Sequence, residues 1–139
     1  MKQQPIADTG LIVGLLNPHD QFHPWAKEVA ADVSGGFLTC EAVVSEAIFM
    51  VRRSSKAKAA IIAMIESDWL RVVPVLPEMR VGVIRILEKY HPQADYADAC
   101  VVALHEEWGG RVYSTDQRDF LVYRTRADLM VDVVLPPAV

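Results

Sequence analysis

Cysteine is scarce in this chain, with Cys40 and Cys100 the only two among 139 residues. They lie far apart and share no CxxC spacing, which excludes a thiol redox motif and a cysteine zinc site. Both sit in apolar context and read as small, reduced core residues. Long hydrophobic runs are also missing: nothing approaches the roughly 20 apolar residues that span a bilayer. The first residues, Met1-Lys2-Gln3-Gln4-Pro5, lack the apolar segment and cleavage site of a signal peptide, so a cytoplasmic location is expected. Positive charge is in short supply, with 14 Lys and Arg against 18 Asp and Glu and a net charge of -4. That argues against broad electrostatic adhesion to nucleic acid and leaves room only for a local basic patch. The four histidines, His19, His23, His91 and His105, show no paired ligand spacing. His105-Glu106-Glu107 lacks the second histidine of a zincin helix, so zinc is not indicated. No repeat, low-complexity tract or linker divides the chain. A single domain over residues 1–139 is expected, long enough to bury a sizeable core.

What the chain does have is apolar surface. Its hydrophobic fraction of 52% exceeds the usual range and implies a well-buried sheet, an oligomer interface, or both. Short apolar segments alternate with amphipathic ones. Strands are predicted at 5–7, 36–39, 70–73, 111–114 and 130–134, and helices at 9–16, 22–33, 40–53, 56–67, 78–90 and 95–108. Asn17-Pro18, Gly35-Gly36 and Gly109-Gly110 supply helix stops, and Asp95 is the expected N-cap of the last helix. Strands apolar on both faces, separated by helices, predict an α/β fold with three α/β/α layers around a parallel sheet of about five strands.

Four acidic residues stand out against this background: Asp8, Glu46, Asp98 and Asp116. Each lies in an apolar segment, where a lone carboxylate needs a partner, a metal or a shifted pKa if it is buried. Ligands of open parallel sheets bind beyond the carboxyl ends of the strands, and Asp8 and Asp116 each follow a predicted strand at that edge. Glu46 sits on a helix that starts at the same edge. Its i+3 and i+4 neighbours are Phe49 and Met50, so the helix offers it no cation and places it on an apolar stripe. Asp98 lies in the first turn of a helix without a clear preceding strand, where the helix dipole alone would favour an acid. Asp8 also reads as a helix cap, and Asp116 as a turn residue. The joint pattern is what favours a shared site.

Carboxylate oxygens without His or Cys suit a hard cation, with Mg²⁺ the natural choice and Mn²⁺ a substitute. Such sites typically activate water for in-line attack on a phosphodiester. Arginines 52, 53, 118, 124 and 126 are candidates to flank the site and hold phosphates. Thr9 and Thr115 adjoin proposed ligands and are candidates to orient a ligand oxygen or a water, or simply to cap.

Asp8-Thr9, then Glu46 within Leu38-Thr39-Cys40-Glu41-Ala42-Val43-Val44-Ser45-Glu46, then Ala97-Asp98-Ala99, then Thr115-Asp116-Gln117-Arg118-Asp119-Phe120 occur in an order that resembles a PIN domain. The nearest resemblance is to VapC-type ribonuclease toxins of type II toxin–antitoxin pairs, over nearly the whole chain. The resemblance implies a 3-2-1-4-5 parallel sheet and a Mg²⁺-dependent endoribonuclease that hydrolyses RNA through a metal-activated water. It implies Asp8, Glu46, Asp98 and Asp116 as catalytic and metal-binding residues, with Asp119 as an accessory. It also implies a homodimer and a cognate antitoxin whose basic tail occupies the acidic site. Gly10 departs from the pattern, because a small hydroxyl residue is common there. Glu41 and Asp95 are extra acids, read as caps.

Two other classes compete. An aspartyl-phosphate protein also places acids at strand ends, but the dehalogenase-type pattern needs a second aspartate where Gly10 stands. Both that family and receiver domains need a late lysine, and the last lysine here is Lys89. The non-enzymatic alternative is a PIN-like module that binds RNA or protein without cutting it.

Overall fold

Five short parallel strands form one sheet in the computed structural model, which describes residues 3–138. They are β1 (Ile6–Ala7), β2 (Phe37–Cys40), β3 (Leu70–Val73), β4 (Val112–Tyr113) and β5 (Val133–Val134), in spatial order β3-β2-β1-β4-β5. Ile6 pairs with Leu38 on one side and with Val112 on the other, which puts β1 at the centre. Both its residues are fully buried, as is all of β2, so these strands read as continuous apolar runs rather than alternating ones. The 3-2-1-4-5 order and the α/β class agree with the sequence reading.

Among the described residues six α-helices surround the sheet: α1 (Thr9–Leu16), α2 (His23–Asp32), α3 (Glu41–Met50), α4 (Ser55–Glu66), α5 (Leu76–Lys89) and α6 (Tyr96–Trp108). Their ends follow local chemistry. Ser54 caps α4 by accepting from the Ala57 N–H at 3.0 Å, and Asp95 caps α6 by accepting from the Asp98 N–H at 2.8 Å. Gly109 closes α6 at a φ of 75°, a left-handed conformation that glycine adopts without a Cβ penalty. The helix α3 stops at Met50, three residues before the predicted end, and the Phe49 carbonyl accepts from both the Arg52 N–H at 3.2 Å and the Arg52 guanidinium at 2.8 Å. The predicted strand at 130–134 is shorter, because Met130 instead makes an isolated antiparallel bridge with Arg124 across a tight turn. Pro77 lies in the first turn of α5, which kinks at Met79 and starts two residues earlier than predicted. Among the described residues no helix is long and apolar enough to cross a membrane.

The helix α6 is the most buried, with every residue from Ala97 to Leu104 inside. It packs along α5 and touches α3 and β2. Cys40 and Cys100 are free, buried thiols within this core, as expected. His23 and His105 are each tied through Nδ1 to a backbone carbonyl, of Gly14 and Gly110 respectively.

Candidate active site

Strand addition reverses direction between β1 and β4, which are neighbours. A crevice at such a switch point, beyond the carboxyl ends of the strands, is where open α/β sheets bind ligands. Asp8 leaves β1 at that point, and Ser114 and Asp116 follow β4. Glu46 reaches it from the second turn of α3, and Asp98 from the first turn of α6.

Asp8 is buried and occupies the N-cap position of α1, yet its side chain makes no capping bond. Instead Oδ2 accepts from the fully buried Ser114 hydroxyl at 2.7 Å. The helix-cap account of Asp8 therefore fails. Ser114 Oγ also accepts from the Asp116 N–H at 3.0 Å, so one hydroxyl links two of the acids. Asp116 is a turn residue as well: its Oδ1 accepts from the N–H groups of Arg118 and Asp119. Asp98 is 9% exposed, and its Oδ2 accepts from the Tyr123 hydroxyl at 2.6 Å. Glu46 Oε1 accepts from Thr9 Oγ1 at 2.8 Å, and Asp119 Oδ1 from Gln93 Nε2 at 2.8 Å.

A pattern emerges from these bonds. Each of the five carboxylates accepts a protein hydrogen bond at one named oxygen. Carboxylate oxygens of Asp98, Asp116 and Asp119 lie within 4.8 Å of one another. Asp8 adjoins this trio, since Asp116 and Glu46 repel its charge and it in turn repels that of Asp98. Of the four acids singled out in the sequence, Asp98 and Asp116 group with Asp119, Asp8 feels the charges of Asp116 and Glu46, and Glu46 is linked to the group through Asp8.

Crowding and burial show in the electrostatics. Burial pushes the Asp8 carboxyl up to about 6, against the opposing pull of the Ser114 hydrogen bond, and Glu46 and Asp116 add repulsion. Burial raises Asp98 further, to about 8, with the Tyr123 bond acting downward and Asp95, Asp8 and Asp116 acting upward. Acids held this far above their ordinary range call for a compensating cation. The donor set is all oxygen, which fits Mg²⁺ or Mn²⁺.

Some sequence expectations need correction. Glu46 does not face the core: α3 buries Val43 and Ala47, while Glu46, Phe49 and Met50 form an exposed face. The apolar neighbours that seemed to enclose Glu46 are themselves open to solvent. The arginines are mostly occupied elsewhere. Arg124 donates to the carbonyls of Leu121, Val122 and Tyr123, Arg126 pairs with Glu107 at the far end of α6, and Arg52 caps α3. Arg53 lines a cleft with Leu16 and His19 at the far ends of α1 and α3. Of the five, Arg118 lies between two site acids and is exposed.

Ser114 and Tyr123 were not picked out from the sequence. Ser114 had a signal, a small hydroxyl at a strand end two residues before Asp116. Tyr123 had none, because Leu-Val-Tyr-Arg reads as core.

Gly10 has a steric role. A Cβ there would run into the Thr115 hydroxyl, with Thr115 Cβ only 2.9 Å away, so the first turn of α1 and the segment after β4 interlock through the missing side chain. Gly10→Ala should cost about 1–3 kcal/mol through overpacking. Thermal melts should show the loss, and adding Thr115→Ala should recover part of it. Additive effects of the two changes would contradict the interlock.

These features define a class: three-layer α/β/α proteins with an acidic crevice at the switch point of an all-parallel sheet. The chain belongs to the PIN domain family, whose model matches residues 6–125. Several solved structures share the fold, two of them as follows. One is the Mycobacterium tuberculosis VapC20, a sarcin-ricin loop cleaving toxin, at 22% identity and a TM-score of 0.73, with 82% of this chain and 91% of that chain covered. The other is a toxin–antitoxin complex from Klebsiella pneumoniae, at 12% identity and a TM-score of 0.74, with 97% of this chain and 99% of that chain covered. No curated protein matches the chain in sequence.

Proposed function

We propose that the protein is a Mg²⁺-dependent endoribonuclease acting as the toxin of a cytoplasmic toxin–antitoxin pair. The observation that carries this reading is the grouping of Asp98, Asp116 and Asp119, with Asp8 close enough to feel Asp116 and Glu46, at the switch point of a PIN-family sheet. A bound divalent ion would supply charge neutralisation for the phosphodiester and a water acidic enough to attack it at neutral pH.

The chain's own residues do the positioning. Thr9 orients Glu46, and Ser114 sets Asp8 and Asp116 relative to each other. Exposed Arg118 is the cation best placed to meet a substrate phosphate. Beside Glu46, the exposed Phe49 and Met50 give the apolar surface that an antitoxin segment needs. Exposed Val81 and Ile84 on α5 offer apolar area for a homodimer.

The test is incubation of purified protein with single-stranded RNA, structured RNA and a sarcin-ricin-loop oligonucleotide, with Mg²⁺ or with EDTA. Cleavage is expected with metal alone, leaving 5′-phosphate and 3′-hydroxyl ends. Cleavage that persists in EDTA would overturn the mechanism, and metal-dependent RNA binding without cleavage would favour the non-catalytic module.

A further inference from the structure

We propose that Tyr123 is a positioning residue for the cation site, holding Asp98 in the one orientation that completes it. The inference rests on reading the acidic crevice as a divalent-cation site. Asp98 sits in the first helical turn, where its own helix supplies no side chain to fix its carboxylate: the nearby Asp95 is committed to capping the Asp98 N–H. The donor comes from a different part of the chain. Tyr123 lies just after a 3-10 turn at Asp119–Leu121, is fully buried, and gives its single hydroxyl proton to Asp98 Oδ2 at 2.6 Å.

The ring has little freedom to move. Tyr90 and Phe120 meet it edge-on with centroids 5.1 and 5.4 Å away. The Tyr123 N–H donates to the Asp119 carbonyl at 3.1 Å, and Arg124 holds the Tyr123 carbonyl at 3.0 Å. This backbone link ties Tyr123 to Asp119, while its hydroxyl ties it to Asp98. Two acids of the trio are thereby set relative to each other through one residue that supplies no carboxylate. Partners of this kind fix ligand orientation, and their loss typically weakens metal binding by roughly 10–100-fold.

A tyrosine that merely satisfies its own hydroxyl would affect stability and leave metal affinity alone. Tyr123→Phe keeps the ring and its edge contacts and removes only the donor. Mn²⁺ binding, followed by electron paramagnetic resonance of the free ion, should weaken at least about 10-fold in Tyr123→Phe. Tyr90→Phe is the control. It removes the hydroxyl that accepts from the Arg124 N–H at 2.9 Å, in the same aromatic cluster, and should leave Mn²⁺ affinity within about twofold of wild type. Equal affinity in folded Tyr123→Phe and wild type overturns the proposal, as does an equal loss in Tyr90→Phe. A wild type that binds no Mn²⁺ overturns the cation reading and this inference together. A measurement on the unmutated chain covers the case in which Tyr123→Phe does not fold. With 3-fluorotyrosine at all four tyrosines, the fluorine resonance of Tyr123 should shift on Mg²⁺ titration, and a resonance unmoved at saturation overturns the proposal.

Discussion

If the protein is the proposed ribonuclease, Asp98→Asn is expected to reduce RNA cleavage at least about 100-fold, because losing a proposed ligand should exceed the 10–100-fold typical of losing its supporting partner. The substitution preserves shape. An asparagine carbonyl still accepts from the Tyr123 hydroxyl, and the Asp95 cap on the Asp98 N–H is untouched. The loss would therefore reflect charge and ligand chemistry rather than unfolding. Asp95→Asn is the informative companion. Asparagine caps a helix about as well as aspartate, so if Asp95 serves only α6 the rate should stay near wild type. Asp8→Asn should match Asp98→Asn, since both acids are buried and close enough to repel each other. Initial rates of each variant on one RNA, with circular dichroism to confirm folding, separate these outcomes. Asp98→Asn at wild-type rate would remove the acid from the mechanism.

Much of the scaffold was legible because its signals are local. The segments at 9–16 and 70–73 were predicted at their observed bounds. Both are short apolar runs closed by strong breakers, Asn17-Pro18 in one case and Pro74 in the other. The sheet order came from the resemblance, and no periodicity in the chain encodes it. Strand ends were harder, since β1 and β4 have only two paired residues each and their apolar flanks look the same in sequence.

The candidate site was legible in its acids as residues and opaque in what holds them. Asp8 and Asp116 follow strands, and that placement survives folding. Glu46 was selected partly for a wrong reason: its neighbours Phe49 and Met50 are exposed rather than core. Contacts such as Ser114 to Asp8 and Tyr123 to Asp98 join distant parts of the chain or opposite ends of a segment, so no window of sequence reveals them. The arginines show the converse error. Composition made them phosphate ligands, whereas packing committed Arg52 and Arg124 to backbone carbonyls.

Metal-free protein should lose stability as pH rises from about 4 to about 8, and Mg²⁺ should reverse that loss. The sign follows from the two raised acids. Asp8, at about 6, and Asp98, at about 8, both bind protons in the folded state at pH values where the unfolded chain, near 3.8, has released them. Stability is then full below the unfolded value and falls as pH climbs through the folded values. For Asp8 alone the shift corresponds to about 3 kcal/mol at most, and Asp98 adds to it. Melting temperatures in EDTA should therefore decline across this window. Asp98→Asn should raise the melting temperature at pH 8 and change it little near pH 4, since it removes a charge present only at the higher pH. Magnesium at about 100 times its dissociation constant adds about 2.7 kcal/mol, or roughly 5–15 °C for a chain of this size. That gain should shrink toward pH 5, where protons compete for the same oxygens. Differential scanning fluorimetry across pH, with and without Mg²⁺, reads both effects. A melting temperature that rises from pH 4 to 8 in EDTA would mean that Asp8 and Asp98 ionise without the cost that burial imposes, and would overturn this account.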